Sequence, residues 1–264
     1  MAFRELKAEH SRAWGAGAYE RIPPFYEPML DHITGRLDPR PGERWLDLGT
    51  GTGALAERAA AVGARVVGID MAAPMVMTAR RRAADAGLRV AYEVGDVEDL
   101  PHPDESFDVV ASNVGAVFSP DHPAVAGELA RVCRRGGRLG VTAWRREPAI
   151  SGLFDVISRF ENPSPPGTGS PLGWGRPEHV EELLGDAFEL SFEPGDAPLR
   201  ASSGEEVWDL FSTVHGPTRK LAERLDPDRR AELHRAYVEF HEGFRTEGGI
   251  CKPGPYLLTL GRRR

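Results

Sequence analysis

Short apolar runs alternate with segments of helical period from Trp45 to Trp144. The first run, Trp45-Leu46-Asp47-Leu48, gives way at Ala54 to the helix-forming ALAERAAAV. Four more strands follow in RVVGID at 65–70, RVAYEVGD at 89–96, FDVVASNV at 107–114 and RLGVTAW at 138–144. Val125, Leu129 and Val132 recur at helical spacing ahead of Gly136-Gly137, and Gly63 and Gly87 stand where helix C-caps are expected. Strand and helix in alternation predict a doubly wound parallel α/β sheet. Residues 161–177, ENPSPPGTGSPLGWGRP, hold too much proline and glycine for regular structure and predict a long loop. Next come a short helix over PEHVEELLG and a sixth strand over FELSFEPGDAPLRA, 188–201. Two or three helices are expected between Glu205 and Arg245, one marked by Asp226 as N-cap and Pro227 at its first position.

The junction after the first strand carries the most chemistry. In WLDLGTGTGA, Gly49, Gly51 and Gly53 lie between strand and helix. Without a Cβ such a bend reaches positive φ and lets a bound molecule approach backbone N–H groups, with a helix N-terminus behind them. A nucleotide-like cofactor is the first inference. Gly49-x-Gly51-x-x-Ala54 also satisfies the dinucleotide pattern, so the glycines alone leave open a NAD-dependent oxidoreductase or a non-catalytic nucleotide-binding protein. Asp70 ends the second strand about 20 residues beyond the first glycine, the distance expected of a carboxylate that holds ribose hydroxyls. Asp96 and Asn113 close the third and fourth strands.

Five blocks, LDLGTGTG (46–53), VVGID (66–70), GDVEDLP (95–101), FDVVASN (107–113) and ELARVCRRGGRLGVTAW (128–144), resemble in order and spacing those of the class I S-adenosylmethionine-dependent methyltransferases. Within that class the resemblance is to the branch that includes the ubiquinone and menaquinone biosynthesis enzymes and many small-molecule methyltransferases. It covers residues 40–145, and neither Asp47 inside the first strand nor a GDVEDLP block is expected of a dinucleotide dehydrogenase. The resemblance implies a Rossmann-like, doubly wound seven-stranded sheet, mostly parallel, with YLLTLGRR as an antiparallel last strand beside the fifth and sixth. It implies one methyltransferase domain over 1–264: a helical cap at 1–40, a donor-binding core at 41–145, lid and acceptor-binding insertions at 146–187 and 202–250, and final strands at 188–201 and 251–264.

S-adenosylmethionine carries an adenine, a ribose diol, a zwitterionic amino-acid tail and a sulfonium cation, so its pocket needs hydrogen-bonding edges. Asp70 is expected to accept both ribose hydroxyls, and Met71 to line one adenine face. The resemblance gives Asp96 the adenine amino group and the backbone of Val97 the ring. An unpaired Asp47 among Leu and Trp would be costly, so it is expected to meet backbone donors or the ammonium of the tail. The backbone of Gly49, Gly51 and Gly53, with Thr50 or Thr52, approaches that tail, and Asn113 stands where the family places residues nearest the tail and the methyl group. From the cap, Trp14 and Tyr19 are candidate contacts to the same end, against simple packing.

Composition narrows the acceptor. The 264 residues are 41% hydrophobic, enough for a sizeable core, and a net charge of −7 gives no broad positive field for nucleic acid. Arg262-Arg263-Arg264 reads as a solvated tail. Cys133 and Cys251 make no disulfide framework, no His/Cys/Asp/Glu cluster has metal-ligand spacing, and the charged N-terminus lacks an apolar signal core. A cytoplasmic enzyme without a membrane span is expected, acting on a small-molecule acceptor and compatible with a homo-oligomer.

In-line methyl transfer requires the acceptor lone pair about 3 Å from the methyl carbon, so positioning and desolvation supply much of the rate. Where the acceptor bears a proton to be lost, a base is wanted, and His122 in FSPDHP and His215 in FSTVHGP are the candidates, each against a packing role. Asp121 competes as a helix cap. Trp144, Phe154, Trp174, Trp208, Phe211, Tyr237 and Phe244 are the aromatic residues available to line an acceptor pocket, which favours an apolar or aromatic small molecule, and the resemblance implies a place in secondary metabolism. A nucleic-acid or protein methyltransferase is the alternative, and it would need a basic or peptide-binding surface.

Overall fold

The computed structural model describes residues 3–22 and 26–264. Its strands are β1 (Arg44–Leu48), β2 (Arg65–Asp70), β3 (Val90–Val94), β4 (Phe107–Asn113), β5 (Cys133–Trp144), β6 (Phe188–Asp196), β7 (Leu199–Ala201), β8 (Arg245–Thr246), β9 (Gly249–Lys252) and β10 (Pro255–Arg263). Seven of them form one sheet in the order β3-β2-β1-β4-β5-β10-β6, and β10 alone runs antiparallel to its neighbours. That is the Rossmann-like sheet the sequence predicts, antiparallel last strand included. β1 lies in its interior because the side chains of Trp45, Leu46 and Leu48 are largely apolar and wholly buried, which suits a strand paired on both edges and covered on both faces.

Strand order reverses between β1 and β4. Right-handed crossovers therefore put α3 (Ala54–Ala61) and α4 (Ala73–Asp85) on one face and α5 (His122–Val132) on the other, and they leave a crevice at the C-terminal strand ends. α2 (Glu27–Leu37) crosses β5 so closely that a Cβ on Gly140 would lie 2.7 Å from the Leu37 side chain. α7 (Pro177–Leu184) closes the other face, and Trp174, Val180 and Leu184 join the main core.

A second core gathers Phe160, Val207, Trp208, Leu221, Leu233 and Tyr237. It draws on α6 (Pro148–Ser158), α8 (Gly204–Val214), α9 (Gly216–Arg224) and α10 (Pro227–Glu242), the last capped by Asp226 as expected. One expected strand is corrected: 188–201 is two strands, not one. Asp196 accepts from the Gly254 N–H and the Ala197 N–H donates to the Gly254 carbonyl, which turns the chain out of the sheet. β7 then pairs with β9, and β9 with β8, in a small antiparallel sheet beside the second core. The basic C-terminus is also corrected, because Arg262 and Arg263 lie in β10 and Arg263 donates to the carbonyls of Ala130 and Ala187.

Candidate active site

The glycine bend opens into the crevice where the strand order reverses, and its three glycines serve three different ends. All have positive φ, at +62° for Gly49, +55° for Gly51 and +93° for Gly53. Gly49 yields to Gly115, in the loop after β4, and a Cβ on Gly53 would strike the Tyr92 hydroxyl at 2.3 Å. Nothing lies within 4 Å of where a Cβ on Gly51 would stand. The protein needs that space for no contact of its own, and it is the cradle a ligand backed by peptide N–H groups would fill.

Beneath the bend, Asp47 is 1% exposed, and its Oδ2 accepts from the Thr50 hydroxyl at 2.6 Å and the Ala56 N–H at 3.1 Å. Burial pushes its carboxyl up to about 7. Both contacts come from the bend and the first turn of α3, so Asp47 ties strand, bend and helix together. Thr50 is thereby engaged on the protein side, and half-buried Thr52 is the threonine of the pair with no such tie.

The acids stand along one rim. Asp70 pairs with Val94 in the sheet register, two residues before Asp96, so both carboxylates leave the same edge. Asp70 Oδ2 accepts from the Gly51 N–H at 2.9 Å and Oδ1 from the Ala72 N–H at 2.8 Å, and burial raises its pKa. Asp96 Oδ1 accepts from the Glu98 N–H. Its Oδ2 takes Lys7 Nζ at 2.7 Å, from α1 (Arg4–Gly15), which lies across the rim and donates from Ser11 to the half-buried Met71 at its carbonyl. Val97 is buried just beyond. Asn113 accepts at Oδ1 from the Thr142 hydroxyl, and Val114 beside it has φ +55°, a conformation rare for a β-branched residue that turns the chain away from β4 at the crevice mouth.

Three residues here lie outside the sequence reading. Glu98 pairs with Lys7 and accepts from Ser119 and the Asp121 N–H, which joins α1 to the loops after β3 and β4. Ser112 bridges the Leu48 carbonyl and the Ala116 N–H. Gly115 gives Gly49 its room. Gly115 and Ser112 sit in SNVG with nothing local to mark a partner so distant in the chain, whereas Glu98 is already inside the GDVEDLP block.

Above the rim the walls are aromatic. Trp14 meets Phe118 at 4.9 Å between ring centroids, Tyr19 at 5.9 Å and His215 edge-on at 5.5 Å. The series continues from His215 to Phe211 at 5.5 Å and Tyr237 at 6.4 Å, while Tyr26 faces Trp144 at 6.1 Å. Tyr237 and Trp208 are buried in the second core, and Trp174 packs elsewhere, against His122. The His122 ring is 3% exposed, its Nδ1 is 2.9 Å from His179 Nε2, and burial followed by His179 holds it down to about 4. It is walled in by Gly169 and Trp174, and Asp121 caps α5 ahead of it. Among the described residues no group of three His, Cys, Asp or Glu is arranged for a metal, and no helix is long and apolar enough to cross a membrane.

Residues 46–141 match the methyltransferase domain family. The chain is 32% identical to an uncharacterized protein of Mycobacterium tuberculosis, over 98% of this chain and 96% of that one. It is 34% identical to the nocamycin O-methyltransferase of Saccharothrix syringae, over 91% of this chain and 92% of that one. The crystal structure of the YcgJ protein from Bacillus subtilis shares the fold at a TM-score of 0.64 and 20% identity, covering 89% of this chain and 97% of that one. With a named methyltransferase aligned along nine-tenths of both chains, the dehydrogenase reading of the glycine bend falls away. The chain belongs to the class I S-adenosylmethionine-dependent methyltransferases, and S-adenosylmethionine is its methyl donor.

Proposed function

We propose that this enzyme methylates a small apolar or aromatic acceptor, held between the acidic strand-end rim and the second core. The observation that carries this reading is the run of rings from Phe118 through Trp14, His215 and Phe211 to Tyr237, which joins the rim to the lid without a charged side chain in it. Flat apolar walls favour a flat apolar ligand. A net charge of −7 speaks against a nucleic-acid acceptor. The 34% identical relative is named for transfer to oxygen in nocamycin, which supports an oxygen acceptor and a place in secondary metabolism.

The bound donor supplies an electrophilic methyl carbon on sulfonium. In this reading Asp70 keeps its two backbone bonds and turns its remaining lone pairs to the ribose hydroxyls. Asp96 and the Val97 backbone serve the adenine edge, with Met71 on its face. The bend at Gly49, Gly51 and Gly53, with Thr52 and Asn113, meets the amino-acid tail. Asp47 and Thr50 act one step back, by holding that bend in shape, and His122 is left to packing. Trp14 and Tyr19 close the crevice from the cap and help exclude water.

Calorimetry with S-adenosylmethionine and NAD, then a labelled-methyl screen against cell extract, tests the proposal. Label entering a small organic-soluble product is expected; label entering only protein or nucleic acid would overturn it.

A further inference from the structure

The N-terminus of α9 holds Tyr19 and His215 in one polar arrangement. The Gly216 N–H donates to the Tyr19 hydroxyl oxygen at 3.1 Å. The Thr218 N–H donates to His215 Nδ1 at 3.4 Å, and the Thr218 hydroxyl lies 2.8 Å from the same nitrogen. An N–H can only donate, so Nδ1 carries a lone pair, and the single proton of a neutral ring then sits on Nε2. Tyr19 accepts with its oxygen, so that bond leaves the phenol hydrogen unused. The two rings are 5.7 Å apart at 72°. Trp14, next to both, reaches Phe118 just beyond the end of β4, which puts the pair between the donor rim and the lid.

We propose that His215 is a neutral hydrogen-bond donor rather than a base, and that its Nε2–H together with the Tyr19 hydroxyl holds an acceptor oxygen that arrives already ionised, a phenolate or enolate. This rests on the proposed function, in which the acceptor is held along the run of rings between the rim and the second core. Two fixed donors in a dry site stabilise an oxyanion far more than they would in water. The positive end of α9 acts in the same sense, and it opposes a second proton on the ring. Among the described residues, the side chains in ring or hydrogen-bond contact with His215 are Trp14 of α1, Tyr19, Phe211 of α8 and Thr218 of α9, and none of these is charged. Burial keeps the ring down to about 4, so it stays neutral wherever an acidic phenol ionises. The acceptor oxygen's lone pair forms the new O–C bond while the methyl carbon's bond to sulfur breaks with its pair left on sulfur. Anion and sulfonium become ether and thioether, and the acceptor's proton has already gone to solvent. An ordinary alcohol, protonated at neutral pH, is not a substrate in this scheme.

Two measurements test it on the full chain saturated with S-adenosylhomocysteine. NMR of protein labelled with heavy nitrogen in histidine, with the His215 signals assigned by their loss in His215→Gln, should show Nε2 protonated and Nδ1 bare on both sides of neutrality. A proton on Nδ1, or titration near the ordinary 6.5, would overturn the donor role. Absorbance titration of para-nitrophenol, the probe phenol, should show the phenolate bound about tenfold more tightly than the phenol, so that ionisation moves down by one pH unit. His215→Gln, which keeps an N–H donor, should retain most of that preference, and His215→Phe should lose it. Equal preference in wild type and His215→Phe, or no phenolate bound by protein that binds S-adenosylhomocysteine, would sink this assignment and leave the methyltransferase reading standing. Failure to bind S-adenosylhomocysteine would instead strike the donor site.

Discussion

Gly49 and Gly115 cross back to back where the strand order reverses: a Cβ on Gly49 would lie 2.6 Å from the Gly115 Cα, and one on Gly115 would lie 2.4 Å from the Gly49 carbonyl oxygen. Each position excludes a side chain because of the other, and the crevice floor depends on both. Gly115→Ala is expected to force the two loops apart, with the roughly 1–3 kcal/mol loss typical of overpacking. Urea unfolding should show a lowered midpoint at unchanged slope, with weaker donor binding. An unshifted midpoint would mean that the loops can separate freely.

Gly51→Ala is the opposite case. The new methyl meets no protein atom, and its left-handed backbone costs about 1–2 kcal/mol of strain. Donor affinity, read by calorimetry, is expected to fall at least about tenfold as the methyl enters the cradle. Wild-type affinity in this variant would remove the bend from the site.

Asp70→Ala leaves the Gly51 and Ala72 N–H groups without their acceptor and takes away the carboxylate proposed for the ribose. Donor binding should weaken by roughly 1–3 kcal/mol, the usual consequence of unpaired buried polar groups. Unchanged affinity would cancel its assigned role.

Asp47 should give the fold a pH signature. Burial lifts its carboxyl from 3.8 to about 7, so between those values the folded chain keeps a proton that the unfolded chain has released. Stability then falls as pH rises through that window and is level on either side of it. Asp47→Asn, which can still accept from Thr50 and Ala56, lacks this term. The stability of wild type minus that of the variant should drop by an amount on the order of 4 kcal/mol between pH 4 and pH 7. Urea unfolding of both proteins across that range checks it, and parallel curves would show Asp47 ionising normally.

Lys7 pins α1 over the rim through Asp96 and Glu98. Lys7→Met should loosen that closure, raising the donor off-rate about fivefold, as suits a partly buried ion pair. Stopped-flow displacement of bound donor would read it. An unaltered off-rate would show that the Ser11 bond and packing hold α1 unaided.

Much of the donor half was readable in the chain because its determinants are local. The bend needs glycines at fixed steps, the strands need apolar runs, and Asp70 and Asp96 follow their strands directly, so order along the chain fixes order along the rim. Asp47 was readable only as a problem, a carboxylate in an apolar strand; the Thr50 and Ala56 bonds that answer it appear once the bend is folded. The sixth strand was read too long because its break depends on Gly254, more than fifty residues away. His122 and His215 looked alike as histidines beside turns, and only their neighbours separate them.

Periodicity and spacing by themselves thus determined the wound sheet and the placing of Asp70 and Asp96 at consecutive strand ends, and the resemblance of five short blocks pointed to the methyl donor, since each follows from residues close together in sequence. Tertiary structure alone decided that Gly115 makes room for Gly49 and that Lys7 ties α1 across the rim to Asp96 and Glu98. Those properties belong to pairs brought together from distant segments, whereas the lone pair on His215 Nδ1 answers the Thr218 N–H only three residues on, once α9 has formed.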